Sequence, residues 1–247
     1  MTYQWASCTD IGRLRTKNED AVWPQPEEGQ LVASGEGSAG LVVAVADGMG
    51  GHAGGEIASR VAIEAATGTE GNAVERVKAA NLAVVDTAFD RPRLAGMGTT
   101  MTLAILTDEP GVEIGHIGDS RAYLLRDGRL TQLTKDHSLV AEMVAVGELQ
   151  PEQAAVHPLR SVITRAIGLE HSITVDKVHR KLRPGDRLLL CTDGLTSMLA
   201  DGDIATVLGG GSLPSEAAVS LVSAANRAGG ADNISVVVVD VARDPAG

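Results

Sequence analysis

Four times in its 247 residues the chain joins a long uncharged run directly to an aspartate set among glycines or small polar residues. The apolar run 41–46 enters Asp47-Gly48-Met49-Gly50-Gly51-His52, and Ile114-Gly115-His116-Ile117-Gly118 leads into Asp119-Ser120. Leu188-Leu189-Leu190-Cys191-Thr192 leads into Asp193-Gly194, and Gly230-Ala231-Asp232-Asn233 opens the run 234–241. An unpaired carboxylate beside a buried strand is costly, so four such acids need a compensating partner. Converging oxygen ligands for hard divalent cations supply one, and the glycines let backbone carbonyls and an incoming anion approach closely. Taken singly, each Asp-Gly would serve as an ordinary strand terminator. Asp127-Gly128, between Tyr123-Leu124-Leu125 and Leu130-Thr131-Gln132-Leu133, is such a case: a type I′ hairpin turn accounts for it fully.

The remaining composition narrows the function. Hydrophobic residues make up 44% of the chain, enough for a core, yet two Trp, two Tyr and one Phe are its only aromatics. The core must therefore be built from Val, Leu, Ile and Ala, and no base-stacking surface is available. A formal charge of −11 disfavours nucleic acid and anionic membranes as partners; an anionic substrate must be drawn by local positive charge. Six scattered histidines argue against zinc. Cys8 and Cys191 read as small buried hydrophobes of a reducing cytosol, not as a disulfide. No signal peptide precedes Thr2, and no apolar run reaches the ~18 residues of a membrane span, so a cytoplasmic location is expected.

Strands are predicted at 3–9, 30–33, 41–46, 99–106, 112–117, 121–125, 130–133, 173–179, 187–191 and 234–241. Apolar residues at spacings of three to four predict a helix pair over 54–66 and 73–89, carried in the second by Ala73, Val77, Ala80, Val84 and Ala88. Ala217, Leu221, Val222, Ala224 and Ala225 predict a helix over 214–228 that Gly229-Gly230 stops. Shorter helices are expected at 138–146 and 151–155. The glycine-rich stretches 35–40 and 209–211 read as surface loops. No linker or repeat interrupts the chain, which is expected to form one domain over 1–247. Hairpin-linked strands with helices in separate pairs point to an α+β fold.

Six segments resemble, in order, the motifs of the metal-dependent Ser/Thr protein phosphatases (PPM family, type 2C) in their bacterial form. They are Arg15-Thr16-Lys17-Asn18-Glu19-Asp20, Asp47-Gly48-Met49-Gly50-Gly51-His52, Gly98-Thr99-Thr100, Gly118-Asp119-Ser120-Arg121, Thr192-Asp193-Gly194-Leu195 and Asp232-Asn233-Ile234-Ser235. The resemblance implies a four-layer α/β/β/α sandwich, with two antiparallel sheets face to face, a helix pair outside each, and a variable flap at about 138–165.

It also implies hydrolysis of phosphoserine and phosphothreonine by direct attack of a hydroxide bridging two Mn or Mg ions, opposing bacterial Ser/Thr kinases. Asp47 would bridge both ions, the Gly48 carbonyl would bind the second, and Asp193 and Asp232 would complete the first. Asp119, with Asp193 and Ser161, would hold a weaker third ion, while Asp20 and Glu19 would orient waters. Arg15 would clamp the phosphate, since a guanidinium donates two parallel charge-assisted hydrogen bonds. Met49 stands where eukaryotic members carry the histidine that protonates the leaving group; His52 is the nearest replacement, and a metal-bound water is the alternative. Phosphoproteins, Ser/Thr kinases among them, are the implied partners of a monomer that some relatives extend into a membrane anchor. A phosphatase of another phosphoester and a non-catalytic binding module are the rival readings; loss of a core aspartate would mark the latter, and none is lost.

Overall fold

The computed structural model describes residues 1–50, 54–109, 111–154 and 156–242. Two antiparallel sheets form its centre. The first has the order β3 (Val32–Gly37), β1 (Tyr3–Asp10), β12 (Ile234–Val241), β11 (Arg187–Cys191), β8 (Arg121–Arg126), β9 (Arg129–Gln132). The second runs β10 (Asp176–Lys181), β7 (Gly111–Ile117), β6 (Met101–Thr107), β4 (Val42–Met49), β2 (Asp20–Trp23), and the two-residue β5 (Gly98–Thr99) pairs with the end of β4.

Side chains alternate between the two faces of a strand, and here both faces of the central strands are covered. Val43 and Val45 of β4 and Val237, Val239 and Val241 of β12 face the core between the sheets. Ala44 and Ala46 pack against α1 (Gly54–Gly68) and α2 (Ala73–Asp90). Val236 and Val238 pack with residues of α6 (Asp201–Gly209) and α7 (Pro214–Arg227) on the opposite side. Double burial is why these strands read as uninterrupted apolar runs. The result is the expected α/β/β/α sandwich, filled by aliphatic side chains; Tyr3 and Tyr123 are its fully buried aromatics. Asn72 caps α2, accepting from Val74 and Glu75 N–H while the Glu75 carboxylate accepts from Asn72 N–H.

Several boundaries depart from the sequence reading. Gly35 and Gly37 belong to β3 rather than to a loop; Gly35 is required there because a Cβ would stand 2.9 Å from the Trp5 ring. Strand β2 was not expected, being only four residues long. Helix α6 was also missed: Gly202 and Gly209 obscure its apolar stripe of Ile204 and Leu208. The run 99–106 is broken at Thr100 into β5 and β6. Asp127 and Gly128 have φ of 51° and 77°, as a type I′ turn requires.

Cys8 and Cys191 both pair with Val236, from opposite sides. Two strand spacings, about 10 Å, exceed the reach of a disulfide, and both thiols are free and buried. Burial pushes each thiol up to about 12. The flap contains α3 (Leu139–Ala145), capped by the Ser138 hydroxyl, and α4 (Pro151–Ala154). No helix among the described residues is long and apolar enough to cross a membrane.

Candidate active site

Asp47 and Gly48 lie inside β4, not beyond it, because β2 and β5 prolong the pairing past the apolar run. The backbone of Asp47 is held on both sides by threonines. Its N–H donates to Thr100 Oγ1 at 3.0 Å, and its carbonyl accepts from Thr100 N–H and Thr99 Oγ1, each at 2.9 Å. Thr100 Oγ1 also meets Ser120 Oγ at 2.8 Å, tying the strand of Asp47 to the turn that presents Asp119. Gly48 admits no side chain, since a Cβ would strike the carbonyl oxygens of Gly55 and Glu19. The start of α1 therefore passes directly over the strand.

The first sheet supplies the facing acids. Asp193 follows β11 and opens the single helical turn α5 (Asp193–Thr196), and Asp232 sits in the turn before β12. Asp20 is cross-strand partner to Asp47 and reaches to the first sheet, where its Oδ2 accepts from Thr192 Oγ1 at 2.9 Å and Ser235 Oγ at 2.6 Å. Burial pushes the Asp20 carboxyl up to about 7, although these two hydroxyls pull it down. Asp119 is likewise raised to about 7 by burial and then by the charge of Asp193. Burial, then the charges of Asp20, Asp193 and Asp119, raises Asp47 well above the usual carboxylate range. Asp193 is raised by burial and by Asp232. Asp119 Oδ1 and Asp193 Oδ1 are buried without a hydrogen-bond partner.

Mutually repelling, partly orphaned carboxylates in an all-oxygen environment suit a hard divalent cation. Among the described residues, however, no three Asp, Glu, His or Cys side chains are gathered tightly enough to hold an ion by themselves. Asp232 is already hydrogen-bonded within the chain. Its Oδ2 accepts from Arg15 Nη2 at 2.6 Å and its Oδ1 from Asn233 N–H at 2.8 Å, so both oxygens are engaged.

Asn233 is a residue whose role the sequence reading missed. Buried to 5% exposure, it donates to the carbonyls of Ile11 and Lys17, each at 2.9 Å, and accepts from Glu19 N–H at 2.8 Å. It thereby fixes the loop that carries Arg15. Thr99, Thr100, Ser120, Thr192 and Ser235 were missed in the same way. The available signal was their position, a hydroxyl within three residues of an acidic motif or inside the Gly98-Thr99-Thr100 motif.

The other expected residues fall around this centre. Asp119, Asp193 and Ser161 line one cavity of about 1070 Å³ under the flap. The Glu19 carboxyl lies against the first turn of α1, where a Cβ on Gly55 would be 2.9 Å from it. Met49 packs at Gly98 on the side of β5. His52 lies outside the described residues.

Residues 25–210 match the family described as protein phosphatase 2C. The chain belongs to that family. It is 40% identical to the serine/threonine protein phosphatase PstP of Mycobacterium tuberculosis over 98% of this chain and 45% of that protein. The chain thus spans less than half the length of PstP. It is 36% identical to the serine/threonine phosphatase stp of Listeria welshimeri, over 94% of this chain and 93% of the relative. The crystal structure of the M. tuberculosis PstP/Ppp phosphatase matches with a TM-score of 0.87 at 38% identity, covering 98% of this chain and all of that one. A structure of the PstP catalytic domain in complex with two manganese ions matches with a TM-score of 0.84 at 37% identity, again over 98% and 100%. In this chain the phosphatase 2C fold places Asp20 and Asp47 on one sheet and Asp193 and Asp232 at the ends of strands of the other.

Proposed function

We propose that this chain is a phosphoprotein phosphatase that hydrolyses phosphoserine and phosphothreonine with Mn or Mg as cofactor. The observation that carries the reading is the mutual electrostatic influence of Asp20, Asp47, Asp119, Asp193 and Asp232, with Asp119 Oδ1 and Asp193 Oδ1 buried and unpartnered and the half-exposed Arg15 bonded to Asp232. PstP, named a serine/threonine protein phosphatase and crystallised with two manganese ions, supports the choice of reaction and metal.

When bound, the cations neutralise phosphoryl oxygens and activate water at neutral pH. Asp47 is assigned to both core ions, the Gly48 carbonyl to the second, and Asp193 and Asp232 to the first. Asp119, Asp193 and Ser161 are assigned to a weaker third. Asp20 and Glu19 orient waters. Thr99 and Thr100 fix the backbone of Asp47, so that its carboxylate is preorganised. Arg15 exchanges Asp232 Oδ2 for the substrate phosphate, to which its fork donates two bonds. His52, or a water in its place, is assigned to protonate the leaving alkoxide. Substrates are phosphoproteins, Ser/Thr kinases among them, reached by a monomer in the cytoplasm.

The test is phosphate release from a phosphothreonine peptide with Mn, with Mg, and with excess chelator. Metal-dependent release is expected. A peptide left intact under every metal condition, by a chain shown to be folded, overturns the reading.

A further inference from the structure

Two edges of the sandwich meet beside the flap. The segment 133–135 leaves β9 at the edge of the first sheet and faces β10, the edge strand of the second. Between them lies a cleft of about 550 Å³ whose walls carry Lys135, Lys177, His179 and Arg180. It shares Thr134, Lys135 and Asp176 with the cavity that Asp119 and Asp193 line, so the two lie side by side.

On a chain of formal charge −11 this is a local excess of positive charge. The acids nearest it are already neutralised: Asp176 by Arg165 at 2.9 Å and Glu113 by Lys177 at 2.8 Å. Lys135 and Arg180 are exposed, and neither is taken up in an ion pair among the described residues. Lys181 and Arg183 prolong the basic row. Basic side chains commonly blunt an edge strand against unwanted pairing, which would account for β10 alone. It does not account for Lys135, which lies outside β10, on the segment that follows β9, and lines the facing wall of the cleft.

We propose that this cleft docks Asp or Glu side chains that flank the phosphoresidue in the substrate polypeptide. The proposal rests on the phosphatase reading and specifies its substrate class. Asp176 contacts His137, which accepts from Gly118 N–H beside Asp119, so the inner end of β10 adjoins the site. Arg180 stands four residues further along that strand, or about 13 Å at the strand rise. An extended substrate would therefore present its acidic residues roughly four or more positions from the phosphothreonine.

Three substrates test this at low ionic strength: a phosphothreonine peptide with an Asp/Glu cluster at that distance on either side, the same peptide with Asn/Gln in the cluster, and p-nitrophenyl phosphate. Wild type is expected to show a KM roughly tenfold lower for the acidic peptide, as two exposed ion pairs allow, and to lose the preference at high salt. Lys135→Glu/Arg180→Glu should abolish the preference through KM. It should leave kcat, turnover of p-nitrophenyl phosphate and the melting temperature unchanged. Equal KM for the two peptides in wild type, or a preference that survives the double variant, overturns the docking site while leaving the phosphatase reading intact. Absence of turnover on all three substrates overturns that reading and the docking site with it.

Discussion

Arg15 Nη2 stands 2.6 Å from Asp232 Oδ2, so the residue assigned to the substrate phosphate occupies an oxygen assigned to a cation. Phosphate and metal thus act on the same contact, each favouring its release. Arg15→Ala should leave metal affinity unchanged or tighter while lowering kcat/KM on a phosphopeptide by ~10²-fold, and Arg15→Lys should recover only part. Metal titration calorimetry and steady-state kinetics measure the two effects. Equal kcat/KM for Arg15→Ala and wild type would show that the phosphate is held elsewhere.

Asp193→Ala and Asp232→Ala should each remove turnover and leave the fold intact, since deleting one of several buried like charges relieves repulsion. Circular dichroism and kinetics at saturating Mn check both halves. A variant that keeps more than about a tenth of wild-type kcat, a loss below ~1.4 kcal/mol, would exclude that aspartate from the core site.

Asp119 gives a pH-dependent signature without any metal. Its carboxyl is raised to about 7 in the fold against ~3.9 in the unfolded chain, so between those values the folded state binds the extra proton and loses stability as pH rises. Asp119→Asn removes that loss. In chelator its melting temperature should exceed that of wild type by several degrees at pH 8, and the gain should vanish near pH 4. A gain that is constant with pH would show that charge burial at Asp119 is not its source.

Asp119→Ala tests the third ion. Calorimetry should lose only the weakest metal-binding step, and turnover of phosphopeptides should fall by more than about tenfold. Disappearance of all metal binding would place Asp119 in the core site.

Asn233→Ala should be costly although the residue is assigned no contact with substrate. Three hydrogen bonds from a buried amide are lost, at ~2–4 kcal/mol in total, or about 5–15 °C in melting temperature. The loop holding Arg15 should loosen with it, raising KM for phosphopeptides at temperatures where the variant is still folded. An unchanged KM would separate the loop from substrate binding.

The layers of the fold were legible because strands buried on both faces leave continuous apolar runs, and α1, α2 and α7 carry clear helical periods. Helix α6 was not, since two glycines in nine residues hide a period that only packing against the first sheet enforces. At the site, the aspartates were legible from their junctions with apolar runs. The hydroxyls and Asn233 that hold them were not, because a hydrogen bond between positions 20 and 235 leaves no local pattern. Nor could spacing reveal that Arg15 and Asp232, 217 residues apart, share one contact.

Asp20 and Asp47 come from the second sheet, whereas Asp193 and Asp232 come from the ends of strands in the first. An ion held between them would act as a clasp on two slabs whose shared core is largely aliphatic, adding to the bonds that Asp20 already makes to Thr192 and Ser235. Ligand geometry then reports how the slabs are registered. A cavity opened deep in the middle layer, for example by Leu190→Ala, should be felt as a shift in metal affinity, and metal should in turn slow amide exchange in the apolar stretches of β4 and β12, away from the ligands themselves.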